Sequence, residues 1–135
     1  MATHGTNAYR TVTAMTADPV TLTTMLYEGA IKALKRGQIF HAQGDRARTA
    51  SESERAYLII GELLATLDRS QGEIAEGLAA VYGYCLRCIT DAALGDVTRL
   101  AEAEKHISRI AAAWKSATTA LRMSSAEGGR VATAA

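Results

Sequence analysis

Two cysteines, Cys85 and Cys88, stand three residues apart in the stretch YGYCLRC, residues 82–88. That spacing serves two kinds of chemistry, half of a zinc site or a dithiol redox pair. A structural zinc site takes four ligands, and the remaining candidates, His4, His41 and His106, are scattered and supply no second pair. A thioredoxin-like pair sits at the start of a helix that follows a strand, where the helix terminus lowers the thiol pKa, whereas here the flanking pattern places both residues mid-helix with no strand nearby. Cys85 therefore reads as a small core residue and Cys88 as a half-buried neighbour. Other reactive signatures are missing: the chain has no GxGxxG or Walker loop, no HExxH and no GxSxG. Glu104 and His106 have the wrong spacing for the Glu-x-x-His of a di-iron bundle. The expectation is a protein that is not an enzyme and uses neither metal nor cofactor.

The elements that carry these residues read as helices. Asp18 followed by Pro19 is a helix start, an N-cap acceptor and then a proline whose missing N–H costs nothing at the first position. The first helix is predicted over 19–42, with Leu22, Leu26, Gly29, Ala33, Gly37 and Phe40 on one face and Tyr27, Ile31 and Leu34 beside it. Gly44 and Asp45 stop that helix and cap the next, predicted over 46–69, whose second half AYLIIGELLATL is apolar nearly all round. Ser70 with Glu73 matches a capping box and opens a third helix over 71–94, its inward stripe being Ile74, Leu78, Val81, Cys85, Ile89 and Ala92. Gly95 and Asp96 repeat the stop and start. The fourth helix has the clearest seam: Leu100, Ala103, Ile107, Ile110, Trp114, Ala117 and Leu121 alternate steps of three and four.

Helices of about 20 residues joined by short turns favour antiparallel neighbours, so the predicted fold is all-α, an up-down-up-down four-helix bundle. The expected organisation is an N-terminal arm over 1–17, the bundle over 18–122 and a disordered tail over 123–135. Taken singly, Tyr27, Tyr57, Tyr82 and Tyr84 read as rings that fill the bundle with hydroxyls at its edge, Tyr84 looking outward because it is off the stripe of Cys85. Tyr9 is an isolated aromatic in a flexible arm, which leaves a docking role on the bundle or none.

Composition narrows the partners. The 135 residues include 15 Lys plus Arg and 14 Asp plus Glu, a net charge of +1, so no broad field favours nucleic acid or an acidic membrane. No apolar run reaches the roughly 20 residues that cross a bilayer, and MATHGTNAYR lacks the halves of a signal peptide, which predicts a cytoplasmic protein without membrane insertion. The surplus apolar surface on the first two helices calls for a protein partner.

In order along the chain, AYR, DPVTLTTMLYEGAIKAL, GD, IIGELLATLD, GEIAEGLAAVYGYCLRCI, a second GD and AAAWKSA are together similar to the flagellar export chaperone family FliS, over about residues 8–116. The resemblance implies a chaperone that binds the disordered C-terminal segment of flagellin, prevents its premature polymerisation and delivers it to the flagellar type III export gate. It implies that Tyr9 matches the family's N-terminal tyrosine, in a segment that lies over the empty client groove. Leu26 and Tyr27 match an LY-acidic-GA run, Tyr82, Tyr84 and Arg87 a Y-acidic-Y run with its following arginine, and Trp114 an AW pair. The chain departs from the family at Gly83, where an acidic residue is usual, and at Cys88, often an arginine. The family's equivalents of Cys85 and Cys88 are not a cysteine pair, so their spacing is incidental to helix packing. Candidate client contacts are Tyr9, Met25, Leu26, Tyr27, Ile31, Leu64, Tyr82, Tyr84 and Arg87. The competing expectation is a homo-oligomeric structural bundle with no secreted client, and the arm has two compatible arrangements, closed over its own groove or swapped onto a neighbour in a homodimer.

Overall fold

Asp18 holds an extended backbone and its carboxylate accepts the Thr21 N–H at 2.7 Å, so helix α1 starts at Pro19 and runs to Ala42. The computed structural model describes residues 18–134, with side chains through Glu127, so the arm 1–17 with Tyr9 lies outside the described residues. Gly44, at φ 74, makes the left-handed turn after α1. Asp45 then accepts the Arg48 N–H at 3.0 Å and opens α2, Arg46–Ala65.

The next connection differs from the sequence pattern. Helix α2 stops at Ala65 rather than near 69, because the Thr66 hydroxyl donates to the Glu62 carbonyl at 3.0 Å and the chain turns. Asp68 then takes both donors of Ser70, the N–H at 3.0 Å and the hydroxyl at 2.6 Å, and nucleates a short 3₁₀ turn, Arg69–Gln71. Ser70 is thereby removed from the expected capping box. Helix α3, Glu73–Ala93, follows Gly72 with no side-chain cap. Helix α4 is Arg99–Ala134.

Cross-helix contacts fix the topology. Along α1 and α2, Gly29 faces Ile59 while Gly37 faces Glu52, so one index rises as the other falls. Along α1 and α4, Thr24 meets Trp114 and Gln38 meets Glu104 in the same opposed sense. Tyr84 with Glu102 and Asp91 with Arg99 show α3 antiparallel to α4. Since α2 also packs on α3, the four helices form a closed antiparallel square, each flanked by its chain neighbours and α1 by α4. Among the described residues there is no strand.

Packing the square brings Ala30, Leu34, Ala56, Ile60, Cys85, Leu100, Ala103 and Ile107 to essentially zero exposure. Gly37 lets α2 and α4 approach: a Cβ there would meet Leu100 Cδ1 at 3.4 Å. The inward stripe of α3 is finer-grained than its large residues suggest. Ala75, Ala79, Tyr82, Cys85, Ile89 and Ala92 are buried, whereas Ile74, expected inward, is 80% exposed. Small residues at the contact line let α3 sit close, leaving Leu78 and Val81 partly buried on its flank. Cys88, expected half-buried, is fully buried.

Helix α4 outruns the bundle. Ala117 and Leu121, expected on the seam, are exposed, because α1 begins at Pro19 and no other helix among the described residues reaches them. Over 123–134, where the sequence reads as a disordered tail, the backbone continues the helix to Ala134. No proline interrupts this Ala-, Ser- and Glu-containing stretch.

Candidate functional site

The structure does not bring the sequence-derived contact residues together. Tyr27 and Tyr82, 4% and 2% exposed, are core: their hydroxyls hydrogen-bond each other across the bundle, and the Tyr27 ring lies 6.1 Å from that of Trp114. Both rings fill the bundle, as the sequence pattern suggests for each taken singly, but their hydroxyls meet inside it instead of at its edge. Leu26, Ile31 and Leu64 are partly buried against the core. Ile31 lies one heptad from both Thr24 and Gln38, so it faces α4 as they do, while Met25 is on the outer surface side of α1 and half-buried. Tyr84 and Arg87 belong to the α3–α4 side. These positions occupy several faces of the bundle and form no single surface.

What the bundle does offer is a groove between α2 and α3. Its volume is about 690 Å³, and it opens at the end of the bundle where the α1–α2 and α3–α4 turns lie. Helix α2 contributes Thr49, Ala50, Ser53 and Tyr57 with the charged Arg46 and Glu54, and α3 contributes Ile89, Thr90, Ala92 and Ala93. Leu94 and Gly95 of the turn, with Val97 and Leu100 beyond it, close the floor. Tyr57 and Leu94 are 43% and 83% exposed, large apolar groups left at the rim. Ala50 and Ser53 on one wall and Ala92 and Ala93 on the other leave room for a backbone to come near, and apolar groups below reward its burial. This combination suits an amphipathic helix laid along the seam, since helices pack at about 8–10 Å between axes when small residues line the contact.

The groove continues past His41, Gly95 and Val97 into a second depression of about 500 Å³, lined also by Gln38, Asp96, Thr98 and Ala101. It presents side-chain acceptors and donors of the kind an extended backbone can use. The groove-lining residues were hidden in the sequence because Ala50, Ala92 and Ala93 carry no chemical signature; only the apolar excess of the second helix, in which Tyr57 lies, pointed toward them.

The opposite side of α3 carries a polar cluster. Tyr84 donates to Glu102 Oε1 at 3.1 Å and accepts from Arg99 at 3.3 Å, while His106 and Lys105 approach the same carboxylate at 3.0 and 3.2 Å. The His106 hydrogen bond, then that of Lys105, holds the Glu102 carboxyl down to about 2. Arg87 and Arg99 flank the Tyr84 ring at 5.8 and 5.4 Å, so the tyrosine expected to look outward is half-buried in a network.

The cysteines are inert in this setting. Burial pushes the Cys85 thiol up to about 12, and both thiols are free and inaccessible. No group of three or more metal-ligating side chains occurs among the described residues.

Comparison with known proteins gives a consistent family. The family model for the flagellar protein FliS matches residues 2–121. The flagellar secretion chaperone FliS of Salmonella typhimurium is 38% identical over 118 residues, covering 82% of this chain and 87% of that protein. Its namesakes from Escherichia coli and Bacillus subtilis are each 33% identical, over 84% and 82% of this chain and 89% and 83% of their own lengths.

Proposed function

This chain belongs to the FliS family of flagellar proteins, whose compared members are secretion chaperones and not enzymes, and we propose that it binds the C-terminal segment of flagellin in the cytoplasm, keeps it from polymerising and hands it to the flagellar export gate. The observation that carries the binding site is the α2–α3 groove, where small walls, an apolar floor and the exposed Tyr57 and Leu94 coincide. A disordered client can lay a helical piece along the groove and an extended piece across the second depression beyond His41. Ordering such a client costs part of the gross contact energy, so the complex holds without becoming permanent. Among the described residues no helix is long and apolar enough to cross a membrane.

The test is isothermal titration of the protein with a peptide spanning the C-terminal segment of flagellin from the same cell. One-to-one saturable binding at micromolar concentration is expected. Ala93→Trp, which fills the groove from an exposed position, should weaken it about tenfold or more, a loss of about 1.4 kcal/mol, while Met25→Ala should leave it unchanged. No heat with wild type would overturn the client; equal affinity for the Ala93→Trp protein would overturn the groove. The homo-oligomeric alternative predicts a mass by light scattering that rises with concentration.

A further inference from the structure

Glycine inside a helix costs stability, because it loses the most backbone freedom on folding and gives nothing back in packing. Most glycines among the described residues have a visible reason. Gly44, Gly72 and Gly95 take positive φ in the turns. A Cβ on Gly29 would stand 3.2 Å from Ile59 Cδ1, and one on Gly37 would stand 3.4 Å from Leu100 Cδ1, so close packing of α1 uses both. Three helical glycines are left, Gly61 in α2 and Gly77 and Gly83 in α3. A Cβ at Gly61 or Gly77 would meet nothing within 4 Å, and one at Gly83 would meet only the tip of Arg87, at an ordinary 3.7 Å. The bundle has room for alanine at all three, and helix propensity favours alanine.

Two of the three share a seam. Gly61 is one heptad after Glu54 and Gly83 one heptad before Thr90, and Glu54 and Thr90 line opposite walls of the α2–α3 groove. A heptad returns a helix to nearly the same face. Because α2 and α3 are antiparallel, both steps lead the same way, about 10 Å along the seam from the groove toward the α2–α3 turn. The glycines therefore flank the groove's continuation, and both are half-buried. The same step carries the floor onward: Leu64 is a heptad from Tyr57 and Leu86 a heptad from Ala93, and both leucines are partly buried against the core. Leu58, 64% exposed, stands one turn before Gly61. Gly77 belongs to a different face, one heptad before Tyr84, whose hydroxyl donates to Glu102 of α4.

We propose that the client in the α2–α3 groove runs on past Tyr57 with its backbone close over Gly61 and Gly83, so that these two residues set affinity by the side chains they lack. This extension rests on the reading that the C-terminal segment of flagellin occupies the groove. It lengthens the contact to the span of α2 from Arg46 to Leu64, about 27 Å, which a client helix of about 18 residues covers. Continuity selects the occupant: a separate protein seated on the glycines, about 10 Å from the groove, would collide with the client already there. Glycine on both walls also selects the form of the client at this level. A helix with small side chains brings its backbone down to Cα–H contacts with both glycines, whereas a large side chain would hold the helix axes apart.

The experiment uses the full chain and the flagellin C-terminal peptide in isothermal titration, with urea unfolding of each protein alongside. The Gly61→Ala, Gly83→Ala double variant and the Gly77→Ala control should both unfold at higher urea than the wild type. The double variant should bind the peptide about tenfold more weakly, because two added methyl groups overfill a close contact, while Gly77→Ala binds as the wild type does. Higher stability paired with lower affinity is a signature that a purely structural role for the glycines does not give. Unchanged affinity in the double variant, with Ala93→Trp still weakening binding, would overturn the extension and leave the groove standing. A lower urea midpoint in the double variant would show that the bundle itself needs these glycines, and equal weakening by Gly77→Ala would show that the seam is not the cause; either would overturn the proposal. No heat with the wild type removes the client and the extension together.

Discussion

Tyr27 and Tyr82 offer the sharpest separation between a core role and a client-contact role. Their hydroxyls are buried and bond to each other, with no further partner for either among the described residues. A mutual pair of hydroxyls uses one proton and leaves the other without an acceptor, so the arrangement is only half satisfied. Removing one hydroxyl, as Tyr82→Phe or Tyr27→Phe, strands the survivor in a dry site and should cost about 1–3 kcal/mol. For a domain of this size that lowers Tm by roughly 4–12 °C. Removing both takes away two desolvated polar groups with their shared bond, so the double variant should lie within about 1 kcal/mol of the wild type. The double-mutant cycle, measured by urea unfolding followed by circular dichroism, should therefore be strongly non-additive, with the double variant more stable than at least one single. Flagellin-peptide affinity should stay within about twofold across all three. Additivity within about 0.5 kcal/mol would refute the coupling, and a tenfold loss of peptide binding without a Tm change would return these tyrosines to the interface.

Two further outcomes follow from titratable groups. The Glu102 carboxyl is held at about 2 against an ordinary 4.5, so its contribution to stability is complete above the unfolded value and is lost as pH falls from there toward 2; the urea midpoint of Glu102→Gln should show a shallower acid decline over that window, and an unchanged decline would refute the assignment. The thiols of Cys85 and Cys88 are inaccessible, and Cys85 is pushed up to about 12. Ellman's reagent at pH 8 should label neither in the folded protein and both in 6 M guanidinium, whereas rapid native labelling would reopen a redox role.

Much of the fold was legible because the punctuation is local. Asp18 with Pro19 and Gly44 with Asp45 act through near neighbours and appear in the structure as read, and the stepped seam of α4 holds from Leu100 to Trp114. The errors arise where two local signals compete or where a pattern outlasts its partner. Ser70 could cap α3 only if Asp68 did not capture it first, and Leu121 could join the seam only if α1 extended far enough to meet it. The candidate site was the least legible part. Tyrosines drew attention by their chemistry, yet two of them fill the core, and the groove depends in part on Ala50, Ala92 and Ala93, whose contribution is the space they leave.

That arrangement bears on how a secretion chaperone can hold a client without trapping it. The α2–α3 groove reaches core residues Leu100 and Ile89, which are already buried without a client. A docking helix would therefore add contacts to a finished bundle instead of completing an unfinished one, and folding of the chaperone does not depend on occupancy. Affinity then comes from the rim, chiefly Tyr57 and Leu94, and from burial along small walls, a modest area set against the ordering cost of the client. Small walls also make the site tolerant, since alanines accept side chains of several shapes where interlocking large residues would demand one. The same logic explains why filling the groove at Ala93 is a stronger perturbation than truncating any one contact: truncation removes one of many interchangeable contacts, whereas an indole at that position occupies the space that all of them share.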